Sequence, residues 1–319
     1  MQKSGQVWIN GNFIPWDKAS ISIQTHALHY GLGIFEGIRL YKTDRGSAIF
    51  RLHDHLNRFY QSAQIAGMNL PFKAPELYDA ILETLKLNQL QECYIRPLAF
   101  VAEGRMGLNS LGIPISVAIM VWPWGAYLGE EGLKHGIRVM ISSYSRKFGH
   151  LKLSKAKITG NYVTSQLAKI EAIQQGYDEA ILLDPEGTIA EGSGENIFIV
   201  KNHHFKTPPT THILEGITRD TILVLAEKRG WTTSEENFTK EELYEADEAF
   251  FTGTAAELTP IREVDQKRIG SGDIGPVSKI LQQDFKEIVL GKKNEFEEWL
   301  TFVNLSSKSI RASTLPNFI

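Results

Sequence analysis

The N-terminal third of the chain combines short strand patterns with two helical patterns. The strand patterns predict two hairpins, one across Asn10-Gly11, a dipeptide that tolerates the positive φ angles of a tight turn, and one across residues 44–46. Apolar residues at steps of three and four from Leu52 to Ala66 predict a helix that ends at Gly67, and another helix is expected after Pro75. The predicted strands are residues 7–9, 13–14, 33–41, 48–50, 94–101 and 115–124.

The C-terminal two thirds mix strands and helices without regular alternation. Thr239 with Glu242 forms a predicted capping box, and glycines end several helical patterns. The predicted strands are residues 137–144, a series within 179–200 that turns at 184–187, and 249–252. The predicted helices are residues 161–175, 218–229 and 276–290. Because strict βαβ alternation is missing, the pattern favours an α+β fold.

Residues 125–136 contain four glycines and little periodicity, which predicts a connection between two domains. We therefore expect a small α/β domain over residues 1–124 and a larger domain over residues 137–304. Residues 305–319 carry no clear pattern and are predicted to be disordered.

Composition narrows the classes of protein. The 319 residues include 34 Lys and Arg against 37 Asp and Glu, so the net charge of −3 provides no broad basic field for nucleic acid or anionic membranes. Any anion site must therefore be local. The single cysteine, Cys93, cannot form an internal disulfide, and the first residues lack an apolar signal segment, so the cytoplasm is the expected location. The longest apolar run, 117–124, is too short to cross a membrane.

One stretch has an unusual charge pattern. Residues 132–170 contain eight cationic side chains and no carboxylate: Lys134, Arg138, Arg146, Lys147, Lys152, Lys155, Lys157 and Lys169. The stretch could form a solvated basic face. It could also line an anion-binding cavity, in which neighbouring cations lower the pKa of a nucleophilic lysine. Lys157 fits this second role best because it precedes a turn that leads into a helix.

Two further segments are candidates for a cofactor site. In Glu191-Gly192-Ser193-Gly194-Glu195-Asn196, glycines allow close approach of a flat group, and Glu191 could hold a proton on a ring nitrogen. Alone, the segment could equally be a hairpin loop. Gly216-Ile217-Thr218-Arg219 begins a helix with Thr218 as the expected N-cap, and Gly253-Thr254-Ala255-Ala256 supplies more backbone donors. With Arg58 these segments could bind a phosphate.

Competing motifs are incomplete. Ser154-Lys155-Ala156-Lys157 matches the Ser-x-x-Lys of penicillin-binding enzymes, but its partner motifs are missing. The glycines of residues 31–37 are spaced wrongly for a dinucleotide fingerprint and lead into a strand pattern. The histidine pairs at 26/29 and 53/55 lack accompanying ligands, so no metal is expected.

Seven segments, taken in order, resemble the branched-chain amino-acid aminotransferase family over about residues 6–304. They are His29-Tyr30-Gly31 with Phe35-Glu36-Gly37-Ile38-Arg39, Tyr94-Ile95-Arg96-Pro97, Pro123-Trp124-Gly125-Ala126-Tyr127, Lys157 before Gly160-Asn161-Tyr162, Glu191-Gly192-Ser193-Gly194-Glu195-Asn196, Gly216-Ile217-Thr218-Arg219, and Gly253-Thr254-Ala255-Ala256-Glu257. The resemblance implies the two-domain fold of D-amino-acid aminotransferase (fold type IV), with pyridoxal 5'-phosphate between the domains.

The resemblance also implies roles toward this cofactor. Lys157 would carry it covalently and then move a proton between Cα of the amino acid and C4′ of the cofactor. Glu191 would pair with the pyridine nitrogen, and Tyr162 would hydrogen-bond the ring oxygen. The phosphate would be held by Arg58, Ile217, Thr218 and Thr254, with Gly216 and Gly253 beside them in the cofactor site. Glu215 departs from the proline of some family members, so its carboxylate must point away from the phosphate.

The same resemblance assigns the substrate site. Its α-carboxylate would lie near Tyr94 and the backbone of Thr254 and Ala255, and Arg96 would bind the distal carboxylate of glutamate. The apolar wall would be formed by Phe35, Trp124 and Tyr127, with Tyr30 and Leu108 reaching in from the neighbouring subunit of a homodimer or larger homo-oligomer.

The expected reaction exchanges an amino group between L-leucine, L-isoleucine or L-valine and 2-oxoglutarate. The alternatives are a D-amino-acid or (R)-amine transaminase, or an aminodeoxychorismate lyase, of the same fold. A non-catalytic anion-binding protein that uses the basic stretch is a further alternative.

Overall fold

The computed structural model describes residues 5–125, 127–146 and 150–305. Ala126, Lys147 and the tail beyond Leu305, all of which entered the sequence predictions, lie outside these residues. The strands, in chain order, are β1 (Gln6–Ile9), β2 (Asn12–Pro15), β3 (Gly33–Phe35), β4 (Ile38–Thr43), β5 (Gly46–Phe50), β6 (Cys93–Val101), β7 (Ile115–Trp122), β8 (Ile137–Ser145), β9 (Glu179–Leu183), β10 (Ile189–Gly192), β11 (Asn196–Lys201), β12 (His204–Thr207), β13 (Thr232–Glu235), β14 (Glu248–Gly253), β15 (Glu257–Val264), β16 (Lys267–Arg268) and β17 (Leu300–Val303).

The helices lie between and against these strands. They are α1 (His26–Tyr30), α2 (Leu52–Ile65), α3 (Ala74–Asn88), α4 (Glu130–His135), α5 (Tyr162–Gln174), α6 (Ile217–Lys228), α7 (Lys240–Tyr244) and α8 (Pro276–Val289). Short 3-10 turns occupy Trp16–Lys18, Leu151–Lys155, Thr159–Asn161 and Asn294–Trp299. None of the helices in the described ranges is long and apolar enough to span a membrane.

The strands form two sheets, of which the first is antiparallel and the second is mixed. The first has eight strands in the order β17-β5-β4-β6-β7-β1-β2, with β3 also paired to β6. The second has nine strands in the order β10-β9-β8-β15-β14-β11-β12-β13, with β16 paired to β15. Most pairs are antiparallel, and the parallel pairs are β8 with β9, β8 with β15 and β12 with β13. This arrangement agrees with the predicted α+β class.

Local signals in the sequence predicted many of these elements correctly. Asn10 and Gly11 have φ angles of +48° and +90°, and β1 pairs with β2 as a hairpin. Thr239 Oγ1 accepts from the backbone N–H of Glu242, whose carboxylate accepts from the Thr239 N–H, so the predicted capping box at the start of α7 is present. Gly67 follows α2 in the left-handed region, as expected for a helix stop.

Other elements were predicted wrongly or missed. The predicted strand 33–41 is interrupted at Glu36-Gly37, so that β3 pairs with β6 while β4 pairs with β5. The predicted loop 125–136 contains α4. Five strands were not predicted, namely β12, β13, β15, β16 and β17.

The last strand also bears on the predicted domain limits. Strand β17 pairs with β5 in the first sheet, although it lies in the range assigned to the second domain. The division into residues 1–124 and 137–304 stays a prediction, with residues 300–303 hydrogen-bonded to the first sheet. No local pattern could reveal this return, because the pairing partner lies far away in the sequence.

The first sheet contacts the segment that follows the second 3-10 turn. Ile34 of β3 forms an isolated antiparallel bridge with Ile158, and the Phe35 N–H donates to the Lys157 carbonyl at 3.1 Å. Helices α2 and α3 pack on the first sheet in a core that includes Ile158. This contact fixes the backbone at Lys157 against the first sheet.

Helix α2 carries part of that core and gives a stability prediction. Phe59 is fully buried, whereas Asn57, two residues earlier, is exposed. Phe59→Ala should lower the free energy of unfolding by about 3–5 kcal/mol, because a large apolar side chain leaves a cavity. Asn57→Ala, the matched control on the opposite face, should change it by less than about 0.5 kcal/mol. Urea denaturation measures both values, and similar losses for the two variants would contradict the assigned helix faces.

Candidate active site

Lys157 lies between two 3-10 turns, and hydrogen bonds hold its backbone on both sides. Its N–H donates to Ser62 Oγ at 3.0 Å, and its carbonyl accepts from Phe35. The residue is half-buried, and its ammonium donates to the hydroxyl of Tyr162, the first residue of α5, at 2.7 Å. The amine is therefore held in one orientation.

Glu191 faces the same cavity from β10. Its Oε1 accepts from Arg146 Nε at 2.6 Å, and both side chains are buried. Burial raises the pKa of Glu191, while the positive charges of Arg146 and Lys157 oppose the rise. The cavity is lined by Arg146, Ser154, Ala156, Lys157, Asn161, Tyr162, Glu191, Gly194, Asn196 and Leu214. The predicted amine and acid thus share one cavity.

The basic stretch does not gather into this cavity as one cluster. Arg138 pairs with Glu263, Lys155 with Glu215 and Lys169 with Glu179. Of the described cations in the stretch, only Arg146 and Lys157 line the cavity. The prediction that many neighbouring cations surround Lys157 was therefore wrong, since most of them pair with carboxylates from elsewhere in the sequence.

The Ser-x-x-Lys alternative also fails on geometry. Ser154 Oγ donates to the carbonyl oxygens of Leu151 and Thr211, at 2.7 and 3.0 Å. Lys157 Nζ is bound to Tyr162 instead. The serine hydroxyl is thus not activated by the lysine in this arrangement.

The N-terminus of α6 forms a site suited to an anion. Gly216 is the N-cap and no side chain caps the helix, so the predicted cap at Thr218 was wrong and Thr218 lies in the first turn. A Cβ at Gly216 would overlap Asn196 Oδ1, so only glycine fits there. Backbone N–H groups of an uncapped first turn, with the positive end of the helix dipole, suit a phosphate.

Arg58 lies at this helix terminus. Its Nη1 donates to the Glu215 carbonyl at 2.8 Å, immediately before the N-cap. The Glu215 carboxylate pairs with Lys155 at 2.9 Å on the exposed side, so its charge is directed away, as the sequence required. An uncapped helix terminus, a buried guanidinium and a cavity with a lysine and a carboxylate fit a phosphorylated pyridine cofactor.

Gly253, Thr254 and Ala255 lie in or beside the turn that joins β14 to β15. Glu257, which closes this turn with a φ angle of +53°, accepts from Arg39 Nη1 at 2.8 Å and from the Tyr41 hydroxyl at 3.0 Å. Arg39 and Tyr41 belong to β4, so this ion pair connects the turn to the first sheet. The turn is thereby held beside Tyr94, which pairs in register with Arg39.

The predicted pocket wall is a continuous array of rings. Phe35 packs against Tyr162 with a centroid distance of 4.7 Å, and Trp124 lies 5.2 Å from Tyr94 and 6.2 Å from Tyr127. The guanidinium of Arg96 lies within this array, 4.7 Å from the Phe35 ring and 5.3 Å from the Tyr94 ring. Among the described residues, Arg96 Nε is buried with no hydrogen-bond partner.

Two predicted residues do not reach the cavity of their own chain. Leu108 is 86% exposed, and the Tyr30 hydroxyl accepts from the backbone N–H of Gly107 in the same loop. The two residues therefore lie together on a surface of the first sheet's domain, away from Lys157.

Comparison with known proteins decides the family. A family model described as amino-transferase class IV matches residues 33–264. The chain belongs to the class IV aminotransferase family.

Relatives resemble this aminotransferase over nearly their full length. The branched-chain-amino-acid aminotransferase of Pseudomonas aeruginosa is 48% identical over 301 residues, covering 94% of this chain and 98% of the relative. The crystal structure of the Escherichia coli branched-chain amino acid aminotransferase has a TM-score of 0.92 and 43% identity, covering 95% of this chain and 100% of that chain. The Thermobaculum terrenum branched-chain amino acid aminotransferase in its PLP-form has a TM-score of 0.87 and 34% identity, covering 94% of this chain and 99% of that chain. The predicted family and fold are confirmed.

Sequence reasoning missed three charged residues of the aminotransferase site. Arg146 was seen in the basic stretch but not as the partner of Glu191. Glu36 was quoted in a motif without a role, yet it is fully buried against Arg58. Glu195 was treated as part of a loop, and it is buried behind the cavity. For Glu36 and Glu195, the available signal was a charged residue inside an otherwise apolar or glycine-rich segment.

Glu195 is held between the two glycine-containing loops of the site. Its Oε2 accepts from the Gly194 N–H at 2.9 Å, and a Cβ at Gly253 would lie 3.6 Å from its Cγ. Burial and the neighbouring Glu179 carboxylate raise the pKa of Glu195 to about 8, although the Gly194 N–H and Lys169 oppose the rise. The surroundings of Glu195 therefore favour its protonated form more than water does.

This raised pKa makes stability depend on pH. Because the folded protein holds the proton more tightly than the unfolded chain, the contribution of Glu195 becomes less favourable as pH rises from its ordinary pKa of 4.5 to about 8. Glu195→Gln removes this titration. Its free energy of unfolding relative to the parent should therefore increase between about pH 5 and pH 8, on the order of 1 kcal/mol per pH unit.

Urea denaturation across that pH range measures the difference. Glu241→Gln is the control, because Glu241 is exposed and hydrogen bonds to the backbone lower its pKa, so its titration lies below the range tested. A stability difference for Glu195→Gln that stays constant with pH would show that Glu195 is ionised throughout.

Proposed function

We propose that this aminotransferase exchanges an amino group between branched-chain L-amino acids (leucine, isoleucine and valine) and 2-oxoglutarate, producing branched 2-oxo acids and L-glutamate. The observation that carries the proposal is the Arg96 guanidinium among the rings of Phe35, Tyr94 and Trp122. The Lys157 amine lies 5.0 Å from the centroid of the same Phe35 ring. A pocket of this kind offers an apolar wall to leucine and a cation to the distal carboxylate of glutamate.

The cofactor is pyridoxal 5'-phosphate. When bound, it supplies an electron-withdrawing ring that stabilises negative charge at Cα of the substrate. The residues that would hold it are Lys157, Tyr162, Glu191, Arg58, Gly216, Ile217, Thr218, Gly253 and Thr254.

Lys157 would remove the proton from Cα of the amino acid and return one in the reverse half of the reaction. The Tyr162 hydroxyl, 2.7 Å from Nζ, would hold the amine beside the reacting carbon. The backbone hydrogen bonds of Lys157 to Ser62 and Phe35 limit the positions from which the amine can act.

Glu191 would accept a hydrogen bond from the pyridine nitrogen and keep that nitrogen protonated. Arg146 binds Oε1 of Glu191 and favours the ionised carboxylate against the effect of burial. The guanidinium also fixes the orientation of the carboxylate, so the ring would meet a preformed acceptor.

The substrate α-carboxylate would bind to the Tyr94 hydroxyl and to backbone N–H groups of Thr254 and Ala255. Gly37 makes room for this hydroxyl, since a Cβ at Gly37 would overlap Tyr94 Oη. The Glu257 ion pair with Arg39 holds the Thr254 turn near Tyr94. Three separate segments would thus converge on one carboxylate.

A second copy of the chain would complete the pocket with Tyr30 and Leu108. Apolar side chains around these residues are exposed, with Ile23 83% exposed and Leu111 79% exposed, which supports a homodimer or larger homo-oligomer that covers them. The cytoplasm remains the predicted location.

The decisive experiment is a donor panel with purified protein and 2-oxoglutarate. L-leucine, L-isoleucine and L-valine should each give their 2-oxo acid and an equal amount of L-glutamate. Preference for D-amino acids or (R)-amines would identify a related transaminase instead, and pyruvate release from aminodeoxychorismate would identify a lyase. Binding without any transfer would support the non-catalytic alternative.

Replacement of the lysine tests the assigned chemistry. Lys157→Ala should reduce turnover of L-leucine by at least about 10²–10⁴-fold, since general acid–base catalysis at Cα is lost. The visible absorption of bound cofactor should change as well. Lys152→Ala, an exposed lysine of the same stretch, is the matched control and should retain activity. Full activity of Lys157→Ala would refute the mechanism.

Replacement of Arg96 tests the shared pocket. Arg96→Met should raise KM for L-glutamate by about 10–100-fold, because a charged hydrogen bond to its distal carboxylate is lost. KM for L-leucine should change less than about threefold. Steady-state kinetics with the two donors measures the difference, and equal effects on both would place the distal carboxylate elsewhere.

A further inference from the structure

Glu36 is a fully buried carboxylate near the site. It lies in the break between β3 and β4, with no exposed side-chain surface. Its Oε1 accepts from Arg58 Nε at 2.7 Å, and its Oε2 accepts from Arg58 Nη2 at 2.9 Å and from His55 Nδ1 at 2.7 Å. Burial alone would raise the pKa of Glu36, but Arg58 and His55 hold it well below its ordinary value. The carboxylate is therefore charged at neutral pH.

These contacts fix the plane of the Arg58 guanidinium. Glu36 takes the hydrogen on Nε and one on Nη2, and the Glu215 carbonyl takes one on Nη1. A guanidinium has five N–H groups. Within the described part of the chain, one hydrogen on Nη1 and one on Nη2 therefore remain without a partner, at the N-terminus of α6, where no side chain caps the helix.

We propose that Glu36 is a positioning residue that directs the two remaining Arg58 hydrogens at the phosphate of the cofactor. The inference rests on the proposed function, since the phosphate belongs to pyridoxal 5'-phosphate. Held on two edges by Glu36 and by the Glu215 carbonyl, Arg58 loses little side-chain freedom when the phosphate binds. Preorganisation of this kind increases affinity without a new contact.

The neighbours of Glu36 in the chain also contact the site. Phe35 on one side packs against Tyr162, and Gly37 on the other leaves space for the Tyr94 hydroxyl. The interruption of the strand at Glu36 turns its side chain toward α2. Three consecutive residues therefore contact the aromatic wall, Arg58 and the Tyr94 hydroxyl.

A purely structural role would give a different result. If Glu36 only joined β3 to α2, its loss would weaken every ligand that needs an intact site. If Glu36 positions Arg58, its loss should weaken ligands that carry a phosphate and spare those that do not. Pyridoxal, which lacks the phosphate, separates the two roles.

The experiment compares pyridoxal 5'-phosphate and pyridoxal on full-length apoenzyme of the parent and of Glu36→Gln, by absorbance and fluorescence titration. We expect Kd for pyridoxal 5'-phosphate to rise by about 10–100-fold and Kd for pyridoxal to change less than about threefold. Equal losses for the two ligands, or no loss for either, would overturn the proposal.

Asp284→Asn is the matched control. Asp284 is also buried and binds an arginine through both oxygens, Arg229, but at the opposite end of α6. It should lower stability without a phosphate-specific loss. If Glu36→Gln does not fold, Glu36→Asp, which retracts the same charge by one methylene, decides by the same criterion. Failure of the parent itself to bind the cofactor or to transfer an amino group from L-leucine would instead refute the proposed function.

Discussion

The site depends on a short backbone contact between the first sheet and the segment that carries Lys157. The hydrogen bond from Phe35 to the Lys157 carbonyl, with the bridge of Ile34 to Ile158, places the lysine segment against an edge of the first sheet. These contacts restrict the positions of the residues on either side. Phe35 must lie beside the amine and Tyr162, and the next residue, Glu36, must turn toward Arg58. A backbone contact can set a site with this precision because it does not depend on side-chain rotamers.

Buried charge is the second organising constraint, and each carboxylate near the cavity meets it differently. Glu36 stays ionised because Arg58 and His55 surround it. Glu191 has Arg146 on one oxygen and lines the cavity itself. Glu195 accepts from one backbone N–H, and burial together with the nearby Glu179 carboxylate raises its pKa. An unpaired buried charge is costly. The three glutamates have different partners and therefore differ in how strongly their surroundings favour the ionised carboxylate.

Three residues named from the sequence line one cavity, whereas several strands around them were not predicted. Lys157 was chosen from a turn that precedes a helix, Glu191 from a glycine-containing segment, and Tyr162 from the family resemblance. Strand β17 could not be predicted, because its partner β5 is remote in the chain and its own pattern is weak. The N-cap of α6 was placed two residues late, because glycine gives a weaker capping signal than threonine. The basic stretch was predicted to surround Lys157 with cations. That prediction failed because charge along a sequence does not show where the opposing carboxylates will lie.

By itself, the sequence determined the local elements, the α+β class and the residue types able to carry the chemistry, because hairpins, caps and helical periodicity depend on neighbours in the chain. Only the tertiary structure decided which cation meets which carboxylate. Arg146 with Glu191, Arg58 with Glu36 and Arg39 with Glu257 each join segments that are distant in sequence. Removal of water from a charged group is costly, so a charge that folding buries needs a partner of opposite sign. Which groups are buried together is set by the packing of the two sheets and their helices rather than by any local pattern.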